Sequence, residues 1–525
     1  MRILLLLSAI LVFNSAMAQK DPALRFSKEI TIKSLREKLT ILSADDMEGR
    51  ETGTRGQRKA AAWIEDQFKL IGLQEAPGLK GYQQLYPLYK DSLIRSSVII
   101  NGIEANPKKD FLFNSPNVEN GETDASGIVF AGYGIEDSLY NDYANLDVNG
   151  KVVVFLLGEP KINGHYLISG NTKYSKWTYP GLRIKMRIAE EKGAKAVWVV
   201  NPAMDEIEEN YFIKAKHATL YYPRETQAKG IPQGVISKDF AIRIFGDSIF
   251  NKMVLGIVSG QPGHTTADKQ VRMLFDKHRD TIYASNVIGM IKGSEKAEEY
   301  LMITAHYDHL GIYNGEIYNG ADDDGSGTVA VIEMAKAFMK ATREGHRPKR
   351  TVVFMTVSGE EKGLWGSEYY SDHPVFPLEK TTADLNIDMI GRIDTERKKA
   401  DTHNYIYVVG HDKLSSDLPL INEGANNKYS RLVFDYKFDD PNDVNRIYFR
   451  SDHYNFARKG VPVLFFYDGM LLADYHKPTD TVEKIEWPLY LKRTRMIFFT
   501  AWEMANRGQM LKRDIPLPAS AGSRF

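Results

Sequence analysis

Between residues 286 and 510 the chain alternates short apolar runs with segments of helical period. The runs at 300–305, 351–357, 383–387, 405–409 and 461–467 are rich in β-branched and aromatic residues, and each reads as a strand. Between the first two, residues 328–340 place Val331, Ala335 and Phe338 on one helical face, and residues 487–506 read as a further helix. Such alternation favours an α/β fold with a mostly parallel sheet flanked by helices. Nearer the start, residues 31–73 read as two helices around a loop, with Ala61, Ile64, Phe68 and Ile71 at helical spacing and Gly72 as the stop. From about 95 to 265 the texture changes to short β-rich runs at 127–130, 151–157 and 196–200, broken by Gly, Pro and Asn, with one short helix at 183–192. The expectation is a mainly β module, 95–265, inserted into a domain made of 19–94 and 266–510. Residues 511–525, rich in Pro, Ala, Ser and Gly, read as a flexible tail.

Length supports this division, because 525 residues exceed what one hydrophobic core usually organises. Charge narrows the function. Lys+Arg and Asp+Glu both total 68, which gives no support for a nucleic-acid-binding surface. The first residues combine Arg2, an apolar run at 3–13 and Ala16-Met17-Ala18, the three-part pattern of a secretory signal cleaved after Ala18. That run is too short for a stable membrane anchor, which needs roughly 20 residues. Export to the periplasm or the medium is therefore expected. With no cysteine in the chain, disulfides, thiolate ligands and a cysteine nucleophile are excluded, so any zinc must be held by His, Asp and Glu.

Candidate ligands of those types gather just past the expected strand ends, where open α/β sheets place their sites. His306 follows the first strand, Glu360 and Glu361 the second, Asp388 ends the third, and His476 lies beyond the fifth. Asp322-Asp323-Asp324 sit at the start of the helix between the first two. Singly, an acidic turn is a helix cap and a Glu pair a solvated face. Clustered at one sheet edge, carboxylates repel one another and need a cation to offset them.

Five ordered segments carry a resemblance: Ala305-His306-Tyr307-Asp308-His309-Leu310-Gly311, Asn319-Gly320-Ala321-Asp322-Asp323-Asp324-Gly325-Ser326-Gly327, Ser358-Gly359-Glu360-Glu361-Lys362-Gly363, Asn386-Ile387-Asp388-Met389 and Tyr475-His476-Lys477-Pro478-Thr479-Asp480. Together they resemble metallopeptidase family twenty-eight, which includes bacterial aminopeptidases and glutamate carboxypeptidases. Glu48-Gly49-Arg50 and the helix to Gly72-Leu73 look like that family's N-terminal element. Gly132-Tyr133-Gly134-Ile135, Asn149-Gly150-Lys151-Val152-Val153 and Gly193-Ala194-Lys195 resemble, more softly, a protease-associated domain.

The resemblance implies two zinc ions per chain bridged by Asp323, with Glu361 and His476 completing one site and His306 and Asp388 the other. It implies Glu360 as general base, Tyr475 as a donor to the developing oxyanion, and the Asp308 carboxylate as acceptor for the second ring nitrogen of His306. His309, Trp365 and Ser451-Asp452-His453 stand beside these segments with a structural role at least as well supported as a substrate role. Asp322 stands where the family often has Asn. The implied activity is hydrolysis of terminal peptide bonds, most simply as an aminopeptidase acting on peptides. Carboxypeptidase and dipeptidase activities are the family alternatives. A noncatalytic binding protein is argued against by the complete ligand set, and a single-zinc, glutaminyl-cyclase-like acyltransferase by the intact pair of His306 and Asp388. Oligomeric state has no signal in the sequence.

Overall fold

The computed structural model describes residues 21–178, 181–207, 209–224, 230–398, 401–440 and 442–517. The expected signal segment, 1–18, and the last part of the expected tail, 518–525, lie outside them. The chain forms two units, one of residues up to Pro87 together with Tyr283 onward, the other Leu88–Ile282. These limits differ from the composition change at 95 and 265 because both fall inside single strands, β1 (Gln83–Ile100) and β2 (Val271–Ile291), which run on past it.

The first unit is built on β3 (Lys296–His306), β4 (Arg350–Val357), β5 (Thr381–Ile387), β6 (Tyr405–Val409), β7 (Val433–Asp435) and β8 (Val463–Tyr467). Its sheet runs β7-β6-β8-β5-β3-β4-β2-β1. The four central strands β8, β5, β3 and β4 are parallel, whereas β6 and β2 join them antiparallel. Every residue of β4, β5, β6 and β8 is buried, and β6 and β8 accordingly read as unbroken apolar runs. One face is covered by α1 (Ile32–Leu42), α2 (Arg55–Ile71), α3 (Gly327–Arg343) and α7 (Trp487–Asn506), which contribute Leu39, Phe68, Phe338 and Phe498 to a single core. On the other face Tyr370 of α4 (Trp365–Asp372) and Phe456 of α6 (His453–Ala457) pack with Met302 and Phe465. A further helix, α5 (Asp417–Tyr429), adds Leu418 and Ile421 to the first core. Helix α2 stops where Gly72 turns left-handed, at φ 86°, and caps the carbonyls of Phe68 and Lys69.

Residues 511–517, expected as the start of a loose tail, are tied down. The Leu511 N–H donates to Thr382 Oγ1 at 2.9 Å, and Ser416 donates to Asp514 through its backbone N–H and its hydroxyl.

The second unit has its own six-stranded sheet, in which Ile128–Ala131, Val152–Leu156, Ala196–Asn201 and Gln233–Ser237 are parallel neighbours. It carries more helix than expected: Glu209–Ala215, Lys238–Phe245 and Asp247–Val258 accompany Gly181–Glu191. Ser237 caps the third of these in the chain by accepting the Phe240 N–H, and Phe240, Ala241, Ile244 and Phe245 then form its buried stripe.

Candidate metal centre

Parallel strands deliver their C-terminal ends to one edge of a sheet, and the polar side chains meet there. His306 is the last residue of β3, and Asp388 follows β5. Glu360 and Glu361 occupy the turn after β4, and Asp323 comes from the short segment Ala321–Ser326 that leads into α3. His476 arrives from the loop beyond β8, with a left-handed backbone at φ 56°.

Two groups share Asp323. His306 Nε2 lies 3.3 Å from Asp323 Oδ1 and 3.5 Å from Asp388 Oδ1. On the other side of the same carboxylate, His476 Nε2 is 3.3 Å from Asp323 Oδ2 and 3.0 Å from Glu361 Oε2. Glu360 stands apart from both sets, its Oε2 3.9 Å from His306 Nε2.

Much of the surrounding network was not foreseen. The Asp308 carboxylate does not accept the second ring nitrogen of His306, as expected from the resemblance. That nitrogen, Nδ1, donates to the Asp308 backbone carbonyl at 3.1 Å and lies 3.7 Å from the carboxylate. The carboxylate is turned instead to Thr52 Oγ1 at 2.7 Å and the Glu360 N–H at 3.2 Å, while Thr52 accepts the Gly359 N–H. Asp308 and Thr52 thus pin the turn that carries both glutamates. Ser451 donates to Asp388 Oδ2 at 2.7 Å and accepts from Asn386. Asp480 accepts the N–H groups of Asp322 and Asp323. Arg50, fully buried, donates to the carbonyls of Leu42, Tyr307, Asn319 and Gly320, tying the N-terminal loop to two of the loops that present ligands. Of these partners Arg50, Asn386 and Asp480 lie in the segments that carry the resemblance, without a role there, and Ser451 stands beside them; Thr52 is a polar position that no periodicity distinguishes.

Trp365 is buried at the start of α4, and His453 is a buried core ring stacked on Phe465, where loss of water pushes its pKa down to about 3. Asp322 is buried against Asp468 and Asp480. Burial first, and those two carboxylates next, push its carboxyl well above the usual range.

Electrostatics separate the two glutamates. Burial, opposed by His306 but aided by Glu361, Asp388 and Asp452, pushes Glu360 well above the usual carboxylate range. Glu361 is buried too, yet contacts with His309 and His476 outweigh burial and the Asp323 charge and hold it low. Burial disfavours the charged form of His476, but Asp323 and Glu361 outweigh it and push the ring up to about 10. Carboxylates that favour a protonated ring in this way mark a place that suits a cation.

The donor set fits a pair of divalent metals. Tetrahedral ligands at zinc bond lengths of about 2.0–2.1 Å stand about 3.3 Å apart, the spacing found in both groups. Asp323 Oδ2 and Glu361 Oε1 are buried without any hydrogen-bond partner among the described residues, a costly arrangement unless something positive serves them. The described residues hold another trio, His411, Asp412 and Asp439, but Lys413 already serves Asp439.

Residues 286–501 match the model described as peptidase family M28. The match covers the part of the chain that carries the candidate centre. The M28 segment contains all of the side chains of the two groups, together with Glu360 and Tyr475. Among curated relatives, a probable zinc metalloprotease of Pyrenophora tritici-repentis is 35% identical over 120 residues, 22% of this chain and 24% of that protein. A probable leucine aminopeptidase of Arthroderma otae is 26% identical over 216 residues, 40% of this chain and 55% of that one. The chain therefore spans about a quarter of the first relative's length and about half of the second's. Among solved structures, an aminopeptidase from Aneurinibacillus sp. strain AM-1 aligns over 94% of this chain and 99% of its own, at 19% identity and a TM-score of 0.49.

Beside the candidate centre lies a pocket onto which His306, Asp323, Glu360 and Asp388 open. Met389, Ile447, Phe465, Tyr467 and Leu471 give its lining an apolar part. Tyr475 and Arg450 line it too, with the Arg450 guanidinium donating to the Tyr475 hydroxyl at 3.1 Å. Tyr475 also stacks on His476, ring centroids 3.8 Å apart.

Proposed function

We propose that the protein is an exported di-zinc exopeptidase, an aminopeptidase in its simplest form, that removes terminal residues from peptides. The observation that carries this reading is the shared carboxylate of Asp323, flanked at 3.3 Å by His306 on one side and His476 on the other, with Glu360 left free beside it. His306, Asp323 and Asp388 would hold one zinc, and Asp323, Glu361 and His476 the other. When bound, the metals would lower the pKa of a water toward about 7 and polarise the scissile carbonyl.

Glu360 is placed to take the proton from the attacking water and return it to the departing amine, and its raised pKa suits a group that must hold that proton between the two steps. Tyr475 keeps its own proton, because burial and the carboxylates of Asp323 and Glu361 push its pKa up, so it can donate to the developing oxyanion. The apolar part of the lining suits an aliphatic or aromatic side chain, and Asp388 and Glu360 in the same lining suit a free ammonium group. A second reading, cleavage of dipeptides or at a free C-terminus, is favoured by Arg450, a pocket-lining guanidinium of the kind that binds carboxylates.

The Arg2 to Ala18 segment supports export. Among the described residues no helix is long and apolar enough to cross a membrane. The inserted unit is proposed to be a protease-associated domain, on its glycine-bearing motifs. The deciding experiment assays zinc-loaded protein on aminoacyl, dipeptidyl and N-blocked substrates alongside elemental analysis. Cleavage of N-blocked peptides at the C-terminus in preference to free aminoacyl substrates would overturn the aminopeptidase reading, and absence of zinc would overturn the whole.

A further inference from the structure

A third imidazole enters the Glu361 side of the centre. His309 is fully buried, with Nδ1 2.8 Å from Glu361 Oε1 and 3.8 Å from Asp323 Oδ2. At 2.8 Å a ring N–H and a carboxylate would normally share a proton. Among the described residues, however, His309 Nδ1, Glu361 Oε1 and Asp323 Oδ2 stand together without a well-aligned hydrogen bond. Ligand atoms of His309, Glu361 and Asp323 that approach one another this closely are in the relation of ligands aimed at one ion. Zinc bonds of about 2.0–2.2 Å at angles between square and tetrahedral put neighbouring ligand atoms about 2.8–3.5 Å apart.

The ring is also held in place by the backbone. Gly320 runs against it so closely that a Cβ there would come within 2.6 Å of His309 Cγ and Cδ2. The opposite nitrogen, Nε2, has no partner among the described residues either, so no hydrogen bond accounts for burying this ring.

We propose that His309 Nδ1 is a ligand of the metal held by Asp323, Glu361 and His476, which gives that site four protein ligands against three at the His306 and Asp388 site. The inference rests on the two-metal reading above. It makes the two positions unequal, one closed by protein in the manner of a structural zinc and the other keeping a place free. The free place is on the side where Glu360 stands and the pocket opens, since Glu360 and Asp388 line that pocket and Glu361 and His309 do not.

The test uses the full chain, labelled at its histidine ring nitrogens and loaded with spin-active cadmium, whose coupling to a bound nitrogen is seen by NMR. Cadmium content is measured first, and fewer than two ions per chain would sink the two-metal reading separately from this one. With two ions bound, three coupled ring nitrogens are expected, one of them an Nδ1 that disappears in His309→Phe while the other two persist. His309→Phe should also give up one of its two metals at a chelator concentration at least about tenfold lower than the wild type. Only two coupled nitrogens in the wild-type protein would overturn the assignment, and that count decides even if the variant does not fold.

Discussion

Glu360 and Glu361 are neighbours in one turn, and their environments divide them. The Glu360 backbone is pinned by Asp308, and its carboxylate faces the pocket, 3.9 Å from His306 Nε2. Glu361 faces His476 and His309. Glu360→Gln should therefore keep both zincs and bind substrate nearly normally while kcat falls by something on the order of a hundredfold or more. Glu361→Gln should lose metal, and excess zinc should restore part of its activity. Rescue of Glu360→Gln by zinc would show the roles reversed. A further residue-scale prediction follows from Arg50, whose guanidinium serves four carbonyls from within the protein. Arg50→Met leaves those carbonyls buried and unpaired at about 1–3 kcal/mol each, so a loss of at least about 3 kcal/mol is expected in denaturant unfolding. What the sequence could not reveal at this scale is direction. Asp308 was legible as a partner of the centre, but whether its carboxylate or its carbonyl meets His306 depends on Thr52, some 250 residues away in sequence.

Helix Gly181–Glu191 buries a charge that its pattern does not announce. Lys185 has no exposed surface, donates to the Gly158 carbonyl, and lies under the rings of Tyr133 and Phe155. Burial, only partly offset by Asp142 and Glu159, pulls its pKa down to about 7. The unfolded chain holds this proton up to about 10.5, so between about 7 and 10.5 the unfolded state binds more protons and folding stability rises with pH. Below about 7 both states are charged and the full penalty applies, an upper bound of about 5 kcal/mol. Lys185→Met removes that dependence. Its melting temperature relative to wild type should be most favourable near pH 6 and decline steadily toward pH 10, whatever the offset from lost hydrogen bonds. A difference independent of pH would refute the buried-amine account. Elements more generally were legible where burial is uniform: β4 and β6 agree with the apolar runs almost to the residue, because a strand buried along its whole length carries few polar positions to blur its ends. Helices Lys238–Phe245 and Asp247–Val258 were not, since Ile, Phe and Val dominate them and Gly246 breaks the period between them. Strands β1 and β2 were also missed, because Pro87 interrupts the first and the charged run from Asp276 to Asp280 the second.

At the scale of the whole chain, each unit encloses its own hydrophobic cores, and every group of potential metal ligands among the described residues belongs to the unit that contains Tyr283 onward. Zinc should therefore stabilise one unit and leave the other as it was. Binding to the folded state alone contributes about 2.7 kcal/mol per site at a hundred times Kd and about 4.1 at a thousand times. For a unit of this size that corresponds to a rise from several degrees to on the order of 10 °C. The effect must also depend on pH. In the metal-free centre His476 is held protonated up to about 10 by Asp323 and Glu361, and His306 is raised by Asp388, Glu360 and Asp323 against the pull of burial. Both rings must lose that proton to bind zinc, so affinity falls as pH falls and protons are released on binding. Calorimetry in buffers of different ionisation enthalpy should find about one or two protons released at pH 7, and scanning calorimetry should resolve two transitions, of which zinc raises one and chelation lowers the same one. Both transitions moving together would show that the units melt as one body, and neither moving would remove the metal centre from the account of stability.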